Sequence, residues 1–466
     1  MKVLLAFPPI LPEERYGKLA ESGTYLPPLG LAYIASVLQA RGFDVEIIDG
    51  SVLSLSIHEF CREIERRNPS ILGISVITPT LTKSIKIAEI LKRNLKDLKI
   101  IFGGPHVSID PVGTLEKCDA VDITVFGEAE YTILDIVRGR NLKEIEGICY
   151  RENKKIKKNR NRAFIENLDS LPFPARHLLP MEKYRPSHLH YKKLPATNVM
   201  VGRGCPFECT FCSKSVFGRT LRLRNVSNVI DEIKHLIEKY GVKEIMFWDD
   251  VFTLNKKWVR EFCSLLLEEK IDIIWSCWTR VDCVDEKLLK LMKRAGCWHI
   301  SYGIESGEQR ILDKIKKGFK VQQIVKAFKI THKVGIETRA TAILGLPGDT
   351  EETIMKTINF MIKLNPDYMD YLFLCPYPNT EIEEQCKVDG KIIEKDLSKY
   401  TDWYPIFVPH TLSEKRLIEL MKIGYNKFYF RPAYVIKRLV KSRSFIEIYR
   451  NIQGLRALLS FLYSKS

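Results

Sequence analysis

Along residues 1–145, short continuous apolar runs alternate with stretches whose apolar positions recur at helical spacing. Residues 3–7 read as a buried strand and residues 28–41 as an amphipathic helix stopped by Gly42. Strands at 45–49 and 71–76 are followed by helices at 58–67 and 81–95. Residues 100–103 and 123–126 complete a five-strand parallel set, the pattern of a doubly wound α/β domain. Ligands of such sheets sit outside the carboxyl ends of the strands. The informative loops are therefore Phe7-Pro8-Pro9, Ser75-Val76-Ile77-Thr78-Pro79-Thr80, Gly103-Gly104-Pro105-His106 and Phe126-Gly127-Glu128.

The pattern breaks over residues 147–195, where a basic run at 151–162 precedes Leu171-Pro172-Phe173-Pro174. This reads as a polar hairpin and then an extended linker, because proline disfavours helix. Alternation resumes with strands at 198–202, 244–248, 275–279, 299–303, 338–344 and 368–374, separated by helices such as 226–240 and 286–295. Six βα units predict a partial barrel with function on its carboxyl-end loops. The tail, 413–466, is helical, basic and rich in aromatics, among them Tyr425, Phe428, Tyr429, Phe430 and Tyr434. Packing on the barrel is the plain reading, and a membrane-surface element is the alternative. The predicted organisation is 1–146, a hairpin and linker at 147–195, a barrel at 196–400 and a helical cap at 401–466.

With 466 residues the chain exceeds one ordinary core, and 45% apolar and 28% charged residues is a common globular balance. The apolar start, Met1 to Phe7, runs into Pro8-Pro9 and is too short for a secretory signal core. Twelve cysteines without secretory features point to a reducing cytoplasm and to free or metal-bound thiols. The net charge of +16 attracts nucleic acid, anionic lipid or phosphorylated cofactors. Much of it is lysine along helical faces, and no nucleic-acid module is recognisable, so no nucleic-acid partner is expected.

The segment Cys205-Pro206-Phe207-Glu208-Cys209-Thr210-Phe211-Cys212 holds three cysteines separated by three and two residues. On one tight loop after a strand, such thiolates suit an iron–sulfur cluster. Three ligands leave the fourth iron of a cubane open. Structural zinc requires a closed set of four. No second cysteine pair follows at zinc-ribbon spacing, and His188 and His190 are not spaced like zinc-finger ligands. The remaining cysteines are scattered in apolar contexts and read as structural.

With Phe211 before its last cysteine, the segment resembles the Cys-x3-Cys-x2-Cys signature of the radical S-adenosylmethionine (SAM) superfamily, and the resemblance extends from 198 to about 380. It implies a [4Fe-4S] cluster on Cys205, Cys209 and Cys212, with SAM chelating the open iron and cleaved to a 5′-deoxyadenosyl radical. The same resemblance gives Asp249 or Asp250 in Trp248-Asp249-Asp250 to the SAM amino group, their alternative being a cap or turn role. It gives Arg280 to the SAM carboxylate, Glu305 to the ribose, and Gly345 in Ile343-Leu344-Gly345-Leu346-Pro347-Gly348 to the adenine.

A doubly wound domain ahead of such a barrel resembles the cobalamin-binding subclass. The matching residues are Pro27-Pro28-Leu29-Gly30-Leu31-Ala32-Tyr33, Gly103-Gly104-Pro105-His106 and Gly127-Glu128-Ala129-Glu130. The resemblance implies a Rossmann-like cobalamin site at Ser75, Thr78, Gly103, Gly104, His106, Gly127 and Glu128. The Asp-x-His-x-x-Gly motif is absent, so His106 is not assigned to cobalt. The alternative is a flavodoxin-like domain for another ligand or a partner.

These resemblances imply a cobalamin-dependent radical SAM methyltransferase acting on an unactivated carbon. Ring formation or rearrangement, methylthiolation, and a non-catalytic cluster and corrinoid protein (a sensor or electron carrier) are the rivals. Methylthiolation conflicts with the missing amino-terminal cysteine set. The expected partners are a small-molecule substrate and an external electron donor such as ferredoxin or flavodoxin, with peripheral membrane contact through the tail. Tyr371, Phe373 and Tyr377 could line an apolar pocket, suggesting a lipid, polyketide or aromatic metabolite.

Overall fold

The computed structural model describes residues 1–17, 23–441 and 445–463. Its first sheet contains β1 (Lys2–Phe7), β2 (Asp44–Asp49), β3 (Ile71–Ser75), β4 (Lys99–Gly103) and β5 (Ile123–Val125), parallel in the order β2-β1-β3-β4-β5. The continuous apolar run of β1 is explained by burial on both faces. Val3 and Leu5 join one core, and Leu4 and Ala6 the other. The strand order reverses between β1 and β3, which places the ligand crevice beside the loops after Phe7 and Ser75. A hairpin, β6 (Ile148–Glu152) and β7 (Lys155–Lys158), adds to the β5 edge antiparallel, so the expected hairpin extends this sheet.

The second sheet is entirely parallel. It orders β8 (Ala196–Val199), β11 (Glu244–Phe247), β12 (Ile274–Thr279), β13 (Cys297–Glu305), β14 (Glu337–Leu344) and β15 (Tyr368–Phe373) by sequence, forming an open six-stranded barrel. Ile300, Tyr302 and Ile304 of β13 pack under the outer helices, so His299, Ser301, Gly303 and Glu305 face the lumen. The strand expected at 198–202 instead ends at Val199. Asp249 accepts the Val201 and Gly202 amide N–H groups at 3.1 and 2.6 Å, replacing a strand ladder with a side chain. The chain then forms a small antiparallel pair, β9 (Gly202–Arg203) with β10 (Arg222–Leu223).

Helix Glu414–Tyr429 buries Leu417, Leu420, Met421, Tyr425 and Phe428 on the barrel. The Tyr429 hydroxyl donates to the Met369 carbonyl at 2.7 Å, and the Tyr425 hydroxyl accepts the Tyr371 amide at 3.2 Å. The tail thus covers the free edge of β15. Among the described residues, no helix is long and apolar enough to cross a membrane.

The carboxyl ends of the two sheets meet through buried ion pairs. Arg203 donates to Glu128 at 3.0 Å and to Glu130 at 2.6 Å, and Arg222 donates to Glu128 at 2.9 Å. Behind them Glu232 takes Arg176 at 2.5 Å and also Arg224. Aromatic rings cover the guanidinium faces: Tyr33 lies 5.4 Å from Arg203 and Phe164 4.8 Å from Arg222. Farther along the mouth, Asn379 donates to the Ile109 carbonyl at 3.1 Å. Burial would push the Glu232 carboxyl up, but Arg176 and Arg224 outweigh it and hold the group below its ordinary range. Glu232→Ala leaves two buried guanidinium groups uncompensated and is expected to cost about 3–5 kcal/mol in anaerobic urea unfolding. A loss under about 1 kcal/mol, the value of an exposed pair, would contradict this.

Candidate active site

The loop after β9 carries Cys205, Cys209 and Cys212, all free thiols. Cys205 and Cys209 are buried and Cys212 is exposed. Gly204 opens the loop at φ +91, and a Cβ there would lie 2.2 Å from the Thr220 carbonyl oxygen, so the turn requires glycine. Among the described residues, no three His, Cys, Asp or Glu side chains gather closely enough for one metal ion. A cubane places its three protein-bound irons at separate corners, so its thiolates need not converge on one point. Three thiols on one short loop, with no fourth protein ligand beside them among the described residues, fit a cluster better than a closed four-ligand zinc site.

Arg280, at the carboxyl end of β12, lies against this loop. It is 3.8 Å from the Cys209 sulfur, stacks 3.5 Å from the Phe207 ring and donates to the Lys317 carbonyl at 2.7 Å. Its fork pairs with Asp282 at 2.9 Å. Arg280 thus also supports the cysteine loop. Glu305 ends β13 with φ +61, a strained conformation for a side-chain-bearing residue, at a register shift beside Gly303. A Cβ on Gly303 would lie 2.5 Å from the Glu305 carboxylate, so that glycine makes room for it. Lys317 fixes the carboxylate at 2.7 Å and sits 5.5 Å from the Phe211 ring. In sequence, Lys317 belongs to a basic run that reads as solvated surface, and nothing there signals its burial.

Asp249 is buried and spent on the Val201 and Gly202 amides, whereas Asp250 beside it is exposed and lines a small pocket with Gly202, Gly204 and Trp248. Gly345 has φ +81, but the close approach it permits is that of Leu417 from the tail helix, 2.9 Å from an added Cβ. The lumen wall was not legible in the sequence. Trp248 and Trp278 meet edge to face at 6.2 Å, Arg339 pairs with the half-buried Asp370 at 2.5 Å, and the Thr341 hydroxyl oxygen is buried without a partner.

On the opposing face, Ser75, Gly103, Gly104 and Gly127 are half-buried at the strand ends. Gly104, at φ +94, packs within 2.9 Å of the Ser75 hydroxyl and the Val76 amide for any added Cβ. Around Gly127, at φ +77, an added Cβ would meet nothing within 4 Å. Three of the residues expected at the cofactor are buried or already paired. His106 is fully buried with Nδ1 at 3.1 Å from the Thr78 hydroxyl, beneath the loop surface, and burial lowers its pKa to about 4. Thr78 is likewise buried. Glu128 spends both carboxylate oxygens on Arg203, Arg222 and the Ile165 amide. A crevice of backbone, glycine and one hydroxyl, with no imidazole from His106, fits a broad corrinoid held without that ligand.

Two family models match the chain: the radical SAM superfamily over residues 199–361 and the B12 binding domain over 17–137. An uncharacterized methyltransferase of Pyrococcus horikoshii is 37% identical over 460 residues, covering 98% of each chain. The chain belongs to the B12-binding radical SAM superfamily. This radical SAM enzyme is also 30% identical to the anaerobic magnesium-protoporphyrin IX monomethyl ester cyclase of Rubrivivax gelatinosus, over 89% of this chain and 76% of that one. The fold is that of the radical SAM methyltransferase TsrM from Kitasatospora setae, solved with cobalamin and a [4Fe-4S] cluster. The TM-score is 0.72 at 16% identity, covering 98% and 99% of the two chains.

Burial pushes the Asp249 carboxyl up to about 7, against the pull of its two amide donors. A folded pKa above the ordinary 3.8 gives stability that is fully present below 3.8 and is lost as pH rises through about 7. In urea unfolding across this window, wild type is expected to lose stability relative to Asp249→Asn as pH rises. A pH-independent difference would contradict the assignment.

Proposed function

We propose that this enzyme transfers a methyl group to an unactivated carbon of a flat, largely apolar small molecule held in the barrel lumen. The observation that carries the reading is the meeting of both sheets' carboxyl ends through Arg203, Glu128 and Glu130. That contact turns the cysteine loop and the glycine-lined crevice toward one mouth. Cys205, Cys209 and Cys212 would hold the cluster, Asp250 and Glu305 the SAM, and Ser75, Gly103, Gly104 and Gly127 the cobalamin. When bound, these groups supply hydrogen-abstracting radical chemistry and a transferable methyl group.

The chain's own residues supply position and dryness. Lys317 neutralises Glu305 and holds its carboxylate in one orientation. Arg280, pinned by Asp282, keeps positive charge beside Cys209. Trp248 and Trp278 offer ring faces for a planar substrate, and Asp370 with Thr341 offers polar anchors deeper in the lumen. Holding the substrate carbon still between two reactive faces is the main demand of such chemistry. The electron donor is a low-potential carrier such as ferredoxin or flavodoxin. The cytoplasm is the compartment that suits the chain's unpaired thiols. The 30% identity to a cyclase favours one second reading, in which the substrate radical closes a ring instead of accepting methyl.

Anaerobic reconstitution with cobalamin, SAM and a strong reductant is expected to yield 5′-deoxyadenosine. Cys209→Ala should abolish it while leaving the corrinoid absorbance. Absence of 5′-deoxyadenosine from the wild type, with cluster intact and candidate substrates present, would sink the reading. With methyl-deuterated SAM, label in the product supports transfer, and unlabelled product supports the cyclase. Lys317→Met is expected to slow SAM cleavage about 10- to 100-fold, as loss of a supporting partner does.

A further inference from the structure

Helix Pro432–Lys441 is turned inside out. Its polar residues face the protein body. Lys437 and Lys441 reach the buried Asp367 carboxylate at 3.1 and 2.7 Å, and Arg438 donates to the Tyr368 hydroxyl at 3.0 Å. The Tyr434 hydroxyl donates to the Asp367 carbonyl at 2.9 Å. Burial alone would raise the Asp367 carboxyl, yet Lys437 and Lys441 hold it down to about 2, so the inward charges are firmly engaged. The apolar residues face outward: Val435, Ile436, Leu439 and Val440 are 42, 61, 71 and 71% exposed. In helix Phe445–Leu462, Ile448 and Ile452 are also 46 and 48% exposed. A helix on a water-facing surface does the reverse, and clustered exposed apolar side chains mark an interaction surface.

Charge identifies the occupant. Residues 421–466 contain ten Lys and Arg and a single acid, Glu447. Lys437, Arg438, Lys441 and Arg450 are engaged inward, while Lys427 and Arg456 are exposed, so the segment keeps a net positive charge. A second copy of the chain would set this cationic segment against itself, whereas an anionic lipid surface is attracted to it. Outward apolar side chains within a cationic segment are what a helix lying in the headgroup region of a bilayer presents. We propose that the carboxy-terminal face docks on an anionic bilayer, with Val435, Ile436, Leu439 and Val440 inserted among the acyl chains. This surface is separate from the barrel mouth, and the inference does not depend on the methyl-transfer reading.

The test is flotation of the holoprotein with vesicles of phosphatidylcholine alone and with about one-quarter phosphatidylglycerol added. Binding is expected to be at least about tenfold stronger to the anionic vesicles and to weaken with salt. The double variant Ile436→Asp, Leu439→Asp should lose at least about tenfold of that binding. Both positions are mostly exposed, so its cluster absorbance and melting temperature should match wild type, as a check on folding. No binding to anionic vesicles, or binding that the variant retains, would overturn the proposal. So would a dimer in sedimentation velocity that the variant dissolves, since the face would then belong to a second copy.

Discussion

The structure depends on a layer of buried arginine–carboxylate pairs between the carboxyl ends of two parallel sheets. Arg203 and Arg222 reach across to Glu128 and Glu130, and Glu232 gathers Arg176 and Arg224 behind them. Taking such charges out of water is expensive, and the layer holds only because each guanidinium finds an acceptor and most lie over an aromatic ring. Its value lies less in net stability than in geometry. With its two terminal nitrogens on separate carboxylates, Arg203 fixes both distance and angle, which an apolar interface would leave freer to slide.

From that constraint the functional arrangement follows. An open parallel sheet and a partial barrel each keep their ligand sites at their strand carboxyl ends. Clamping those ends together creates one mouth with glycine-lined loops on one side and the cysteine loop on the other. Burial then does chemical work at the barrel side. Arg280 and Lys317 sit within the apolar rings of Phe207, Phe319 and Phe211, where their charge is screened little by water. Two fixed cations beside a thiolate-rich loop offset the negative charge such a loop acquires. The strained backbone at Glu305 and the glycine at 303 show that its carboxylate position is enforced.

Much of this was legible in the sequence because period and spacing are local properties. Continuous apolar runs marked the parallel strands, and the three-cysteine spacing marked the cluster loop. What escaped were residues whose role depends on distant partners. Glu128 stands at a strand-end loop and reads as a ligand-facing acid, but the arginines that claim it lie 75 and 94 residues away. Asp249 lies next to a free acid, Asp250, and only three-dimensional contact shows that it serves the Val201 and Gly202 amides. His106 looked accessible at a loop and is sealed beneath it. The tail's basic, aromatic composition left packing and membrane readings both open. In the structure Tyr425, Phe428, Tyr429 and Tyr434 pack on the barrel and Phe430 stays exposed, while an adjacent helix turns its apolar side outward.

The central claim is that the clamped interface holds the cluster side and the corrinoid side in one fixed relation. Pulsed dipolar electron paramagnetic resonance between the reduced cluster and cob(II)alamin measures that relation directly. A single narrow separation is expected in the wild type, broadened when Arg203 is replaced by methionine. A broad or two-component distribution in the wild type would contradict it.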